Sequence, residues 1–90
     1  MGNTALVTGA SSGIGAELAR YHASTGGDVV LVARSEDRLN ELKSELESSH
    51  GIKATVIAAD LAQPDSAQKI FATTEAAGLQ IDILINNAGF

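Results

Sequence analysis

The sequence predicts an α/β fold: an open, doubly wound parallel sheet of about four strands in the order 3-2-1-4, with three helices. Three observations carry this expectation. Apolar runs of strand length alternate with amphipathic stretches of helix length along the whole chain. One of the runs, Val29-Val30-Leu31-Val32-Ala33, is continuously apolar and rich in β-branched residues, the pattern of a strand covered on both faces. A glycine-rich turn, Thr8-Gly9-Ala10-Ser11-Ser12-Gly13-Ile14-Gly15, separates the first apolar run from the first amphipathic stretch.

Taken in order, Thr4 to Thr8 reads as the first strand. Ser12 to about Thr25 reads as the first helix, with Ile14, Leu18 and Tyr21 or His22 spaced along one face, which is expected to be the buried one. Gly26-Gly27 ends it. After the second strand, Ser35 is placed to cap a helix whose first turn carries Glu36 and Asp37, favourable at that end. Leu39, Leu42 and Leu46 recur at core spacing. Arg38, Glu41, Lys43, Glu45 and Glu47 read as a solvated face. Gly51 stops this helix, and Ala54 to Ala59 forms the third strand, ending at Asp60. Pro64 marks the first turn of a third helix with Ala67, Ile70, Phe71 and Thr74 as its buried face. Ile81 to Ile85 is the fourth strand, and Asn86-Asn87-Ala88-Gly89-Phe90 follows.

Composition narrows the function. Ninety residues at 44% hydrophobic and 19% charged describe one small packed domain. Aromatics are limited to Tyr21, Phe71 and Phe90, too few for a base-stacking surface, and a net charge of −5 disfavours nucleic acid and anionic membranes. With no cysteine, disulfides, thiolate chemistry and cysteine-held metal are excluded. There is no secretory signal pattern and no apolar run near the roughly 20 residues of a membrane span, so the expected location is cytoplasmic.

The glycine turn carries the chemistry. The first N–H groups of a helix lack partners within it, and the helix dipole adds partial positive charge there, so an anion is stabilised. Gly9 turns the chain off the strand, Gly13 keeps a side chain out of the way of a pyrophosphate, and Gly15 lets the helix approach the sheet. No Lys-Ser or Lys-Thr follows, which excludes a P-loop. In the expected sheet the strand order reverses beside strand 1. Four segments then converge at the carboxyl edge: the glycine turn, Ala33-Arg34-Ser35, Asp60-Leu61 and Asn86 to Gly89.

These motifs, T-G-A-S-S-G-I-G, Asp60-Leu61 and Asn86-Asn87-Ala88-Gly89 in that order, resemble the short-chain dehydrogenases/reductases, oxidoreductases with a Rossmann fold. The resemblance covers the whole chain and corresponds to the first part of such a domain. It implies that Gly9, Gly13, Ile14 and Gly15 carry the dinucleotide pyrophosphate, with Ser12 bonding phosphate or ribose. Asp60 would accept from the adenine amino group with the Leu61 backbone beside it. Asn87, Ala88 and Gly89 would line the ribose region, and Asn86 would tie strand ends together. Cofactor choice follows from charge. An NAD(H) site places a carboxylate near the end of strand 2 to take the ribose 2′-OH, and here Arg34 stands instead. A guanidinium pairs with a 2′-phosphate, and Ser11 adds a hydroxyl, so NADP(H) is expected over NAD(H), with Arg38 a second candidate.

The same resemblance points to what residues 1–90 do not contain. The family's Tyr-x-x-x-Lys pair and upstream Ser follow the Asn-Asn-Ala-Gly motif. Tyr21 is the only tyrosine, Thr25 stands four residues on, and its place in the first helix suggests packing. The chain is thus expected to be a single N-terminal dinucleotide-binding portion, truncated before the catalytic segment and not itself catalytic, with no metal. The alternative is a non-catalytic nucleotide-binding or strand-pairing module. The apolar edge Ile81 to Ile85 is expected to favour self-association.

Overall fold

The structure, a computed structural model, describes residues 3–11, 13–60 and 63–86. Four parallel strands, β1 (Ala5–Thr8), β2 (Val29–Ala33), β3 (Ala54–Ala58) and β4 (Ile83–Asn86), form a sheet in the order β3-β2-β1-β4. Helices α1 (Gly13–Ser24), α2 (Glu36–His50) and α3 (Ser66–Ala76) connect them. The expected order and alternation are those observed. β1 is central, with Thr8 opposite Val32 on one side and Asn86 on the other.

The two faces are covered by different helices. Val7, Val29, Leu31 and Ala54 pack with Ala19 and Ala23 of α1 and with Leu39, Leu42 and Leu46 of α2. On the opposite face Leu6, Val30, Val32 and Ile57 pack with Ile70 of α3. This division follows from topology. A crossover of constant hand lays its helix on the opposite face when the sheet grows in the opposite direction, as it does between β3 and β4. Residues of β2 alternate between the two cores, so the strand is buried along its whole length, as its unbroken apolar run requires. Burying each α2 leucine contributes about 1.5–3 kcal/mol.

Two helix faces differ from the sequence expectation. α1 buries Gly15, Ala19 and Ala23, a stripe of small residues at i, i+4 and i+8, whereas Ile14 and Tyr21 are 69% and 72% exposed. Small side chains bring the helix axis close to β1 and β2, and the larger ones are displaced to the outer side. α3 begins at Ser66, not at Pro64, and buries Ser66, Ile70 and Thr74, leaving Ala67 and Phe71 exposed. The two buried hydroxyls bond to the Gln63 and Phe71 carbonyls, each at 2.9 Å, which removes the cost of burying them.

The amino-terminal edge of the sheet is fastened by carboxylates. Asp82 Oδ2 accepts from the Thr4 amide at 3.0 Å, Asp28 Oδ1 from the Lys53 amide at 2.9 Å, and Glu47 Oε2 from the Ala54 amide at 3.1 Å. His22 Nε2 lies 2.6 Å from the Asn3 carbonyl, joining the end of α1 to the approach to β1. β4 is one edge of the sheet among the described residues; it begins at Ile83 rather than Ile81, which packs against the core, and its Leu84 is 66% exposed.

The packing of α1 gives a direct test. Ala19→Leu should cost about 2 kcal/mol by overpacking the close approach, whereas Tyr21→Ala should change stability by less than about 0.5 kcal/mol. Urea denaturation of the two variants measures both.

Candidate functional site

All four strands are parallel, so Thr8, Ala33, Ala58 and Asn86 end at one edge. The crevice expected there lies between β1 and β4, where the chain reverses its direction of growth. Thr8 Oγ1 donates to Asn86 Oδ1 at 3.0 Å across this crevice, so Asn86 does tie the two strand ends together. The backbone stays bonded to β2 two residues past β1, the Ala10 amide bonding the Val32 carbonyl at 3.1 Å, and Gly9 takes the left-handed conformation at φ 65°. That value strains any residue with a side chain and supports the assigned turn role of Gly9.

Gly13 is the first residue of α1 and has no positive φ. A Cβ built on it would meet no protein atom within 4 Å. Packing within the described protein therefore does not call for glycine here, and the position its Cβ would take is open among the described residues. No acidic residue occupies the first turn of α1, so no carboxylate there offsets the positive end of its dipole. α2 differs, because Glu36 and Asp37 sit in its own first turn.

Arg34 is exposed just past β2 and, like Arg38, forms no ion pair among the described residues. Ser35 holds the N-cap position of α2 in extended conformation, but its side chain makes no cap hydrogen bond. Sequence reasoning assigned that hydroxyl to the helix, whereas it remains available beside Arg34. Asp60 is half-buried after β3, and its carbonyl accepts from the Gln63 amide at 3.0 Å. Ser12, Leu61, Asn87, Ala88 and Gly89 lie outside the described residues. Of the expected site, Gly9, Ser11, Gly13, Ile14, Gly15, Arg34 and Asp60 are placed on or beside the carboxyl edge.

A cleft of about 260 Å³ runs from the glycine turn between α1 and α2, lined by Ser11, Ala16, Arg20, Arg38, Glu41 and Glu45 among others. The α2 charges read from sequence as a solvated face are therefore not equivalent: Arg38, Glu41 and Glu45 border a cavity, and Glu47 holds a strand amide. Arg20 crosses from α1 and grips Glu45 with two donors, Nε to Oε2 at 2.7 Å and Nη2 to Oε1 at 3.2 Å. It also reaches Glu17. Hydrogen bonding from Arg20 holds the Glu45 carboxyl below its ordinary range, and the bonds to Glu45 and Glu17 push the guanidinium further up. Among the described residues no group of three or more His, Asp or Glu is placed to hold a metal ion, and no helix is long and apolar enough to cross a membrane.

Comparison with known proteins decides the family. The family model described as short chain dehydrogenase matches residues 3–90. The chain belongs to the short-chain dehydrogenase family. It is 44% identical over 90 residues to a very-long-chain 3-oxoacyl-CoA reductase of Candida glabrata, the match covering 98% of this chain and 25% of that protein. The L-sorbose reductase of Gluconobacter frateurii, solved with NADPH and L-sorbose, superposes with a TM-score of 0.93 at 38% identity, covering 99% of this chain and 34% of that one. A short-chain dehydrogenase of Sphingobium yanoikuyae, solved with NADPH, gives 0.87 at 42% identity over 98% and 34%. The chain thus spans about a quarter to a third of the length of these relatives.

The Arg20–Glu45 pair has a pH signature. A carboxyl whose range is lowered in the folded state adds stability above its unfolded pKa, and that stability is lost as pH falls through the folded value. Both side chains are about two-fifths exposed, so Glu45→Gln should cost only about 0.5 kcal/mol at neutral pH. The difference from wild type should vanish in acid below the carboxylate range. Urea denaturation at the two pH values checks this.

Proposed function

We propose that this chain is the NADP(H)-binding portion of a short-chain oxidoreductase. When bound, the nicotinamide would exchange hydride with a carbonyl or alcohol substrate. The observation that carries the reading is Gly13, whose Cβ position is open among the described residues, at the head of a helix with no acidic residue in its first turn, in a sheet whose α2 side bears two guanidiniums, Arg34 and Arg38, that no carboxylate claims among the described residues. The amides at the head of α1, with Gly9, Ser12, Gly13, Ile14 and Gly15, would hold the pyrophosphate. Arg34 and Ser11, with Ser35 beside them, would take the 2′-phosphate as charge-assisted donors. Asp60 would accept from the adenine amino group, Leu61 would lie beside it, and Asn87, Ala88 and Gly89 would border the ribose.

The relatives support the cofactor more directly than the substrate. Those named above are reductases of an acyl-CoA and of a sugar, yet each aligns with nearly all of this chain. Two of the solved structures named above carry NADPH, although their matched regions are only about a third of each chain. Residues 1–90 contain no Tyr-x-x-x-Lys pair, and the tyrosine present, Tyr21, is 72% exposed on the outer side of α1 rather than packed. We therefore read these residues as binding without turning over, the chemistry belonging to a catalytic segment of the whole enzyme.

Two substitutions separate binding from folding. Gly13→Ala should leave stability unchanged or raise it by about 0.5 kcal/mol, since its conformation suits alanine, while NADPH affinity falls at least about tenfold because the side chain enters the pyrophosphate space. Arg34→Ala should weaken NADPH about tenfold and leave NADH nearly unchanged. Calorimetric titration with both nucleotides measures these effects. Equal losses for the two would remove the 2′-phosphate role of Arg34.

A second reading, self-association through β4, is favoured by the exposure of Leu84 and of Ile83 on an edge strand. Sedimentation equilibrium should then show a dimer that Leu84→Asp disperses. A wild-type chain that stays monomeric at high concentration removes this reading.

A further inference from the structure

The α1–α2 cleft holds a balanced set of charges. Arg20 and Arg38 contribute two positive groups, Glu41 and Glu45 two negative ones. Only one opposite pair among them is closed: Arg20 spends both sides of its guanidinium on Glu45 and Glu17. Arg38 is left as a cation with no ion-pair partner among the described residues, in a cleft that Ser11 also lines. The arrangement raises the question of why a cleft expected to receive an anion has carboxylates in its wall at all.

We propose that Arg20 is a positioning and specificity-determining residue. By gripping Glu45 it offsets one of the two carboxylates of the cleft, which leaves Arg38 and Ser11 opposed by Glu41 alone in facing the 2′-phosphate. The inference rests on the NADP(H) reading above. Arg20 does not touch the nucleotide in this scheme; it acts through Glu45. Two features of the geometry favour the role. The grip is a fork of two donors on two acceptor oxygens, which fixes the direction of the carboxylate as a single contact would not. It also joins α1 to α2, residues 25 apart in sequence, so breaking it releases Glu45 toward the cleft without opening the sheet. The lowered range of the Glu45 carboxyl agrees, because the group stays ionised and needs a neutralising partner.

Removing Arg20 leaves the cleft wall with one net negative charge, a cost borne by a 2′-phosphate and hardly at all by a 2′-hydroxyl. At the partial exposure of these side chains Coulomb's law gives about a threefold change in affinity, screened further by salt. The experiment is calorimetric titration of the full chain with NADPH and with NADH at low ionic strength. Arg20→Met should weaken NADPH about threefold with NADH unchanged, Glu45→Gln should strengthen NADPH, and the double variant should restore the wild-type ratio. The single effects should shrink at high salt.

Equal weakening of both nucleotides by Arg20→Met, or a double variant that restores nothing, overturns the inference and leaves Arg20 a helix-to-helix brace. Should Arg20→Met not fold, Glu45→Gln decides alone: an unchanged NADPH-to-NADH ratio overturns the inference. These failures leave wild-type preference for NADPH intact and so are distinct from failure of the functional reading. A wild-type chain with no such preference overturns both.

Discussion

The close seat of α1 on the sheet is the constraint on which the rest depends. Gly15, Ala19 and Ala23 present almost no side chain to β1 and β2. The helix axis is therefore fixed close to Val7 and Leu31, and its first turn is held at the carboxyl edge. An anion site made of main-chain amides has no side chains with which to adjust. Its precision comes from the packing of the element that bears it, and a helix held by larger, rotatable residues would hold its tip less exactingly. Ile14 and Tyr21, which could have filled a core, lie outside because the interface has no room for them.

The two ends of the sheet do different work. At the amino-terminal edge Asp28, Asp82 and Glu47 accept from backbone amides and set where strands begin. At the carboxyl edge charge is instead left available: Arg34 and Arg38 have no ion-pair partner among the described residues, and Ser35 caps nothing. Carboxylates serve the architecture at one end, and guanidiniums are left without a carboxylate partner among the described residues at the other. Arg20 and Glu45 occupy the boundary between these roles, a pair that braces two helices and borders the cleft between them.

Most of the fold was legible because its signals are local. The unbroken apolar run of β2 and the Leu39, Leu42 and Leu46 spacing of α2 needed no knowledge of neighbours, and the strand order followed from the alternation and crossover hand. The buried face of α1 was misread, and that of α3 in part: Ile70 and Thr74 are buried as expected, Ala67 and Phe71 are not. Hydrophobic periodicity weights large residues, whereas the α1 face is defined by small ones, and α3 also buries Ser66, whose hydroxyl is satisfied by a nearby carbonyl. At the carboxyl edge, the turn at Gly9 and the place of Arg34 just past β2 were legible from position along the chain. The Arg20–Glu45 pair was not, since two charges on different helices look like ordinary solvated residues until the helices are packed. Ser35 was hidden by a competing and reasonable role in capping.

The apolar groups left in water at Leu84, Phe71 and Ile83 have a thermal consequence. Hydrocarbon that is already hydrated in the native state contributes nothing to the heat-capacity increment when the chain unfolds. Stability should then vary with temperature along a shallower arch than in a domain of this size with a fully covered sheet. Anything that comes to cover that surface would steepen the arch as well as raise it.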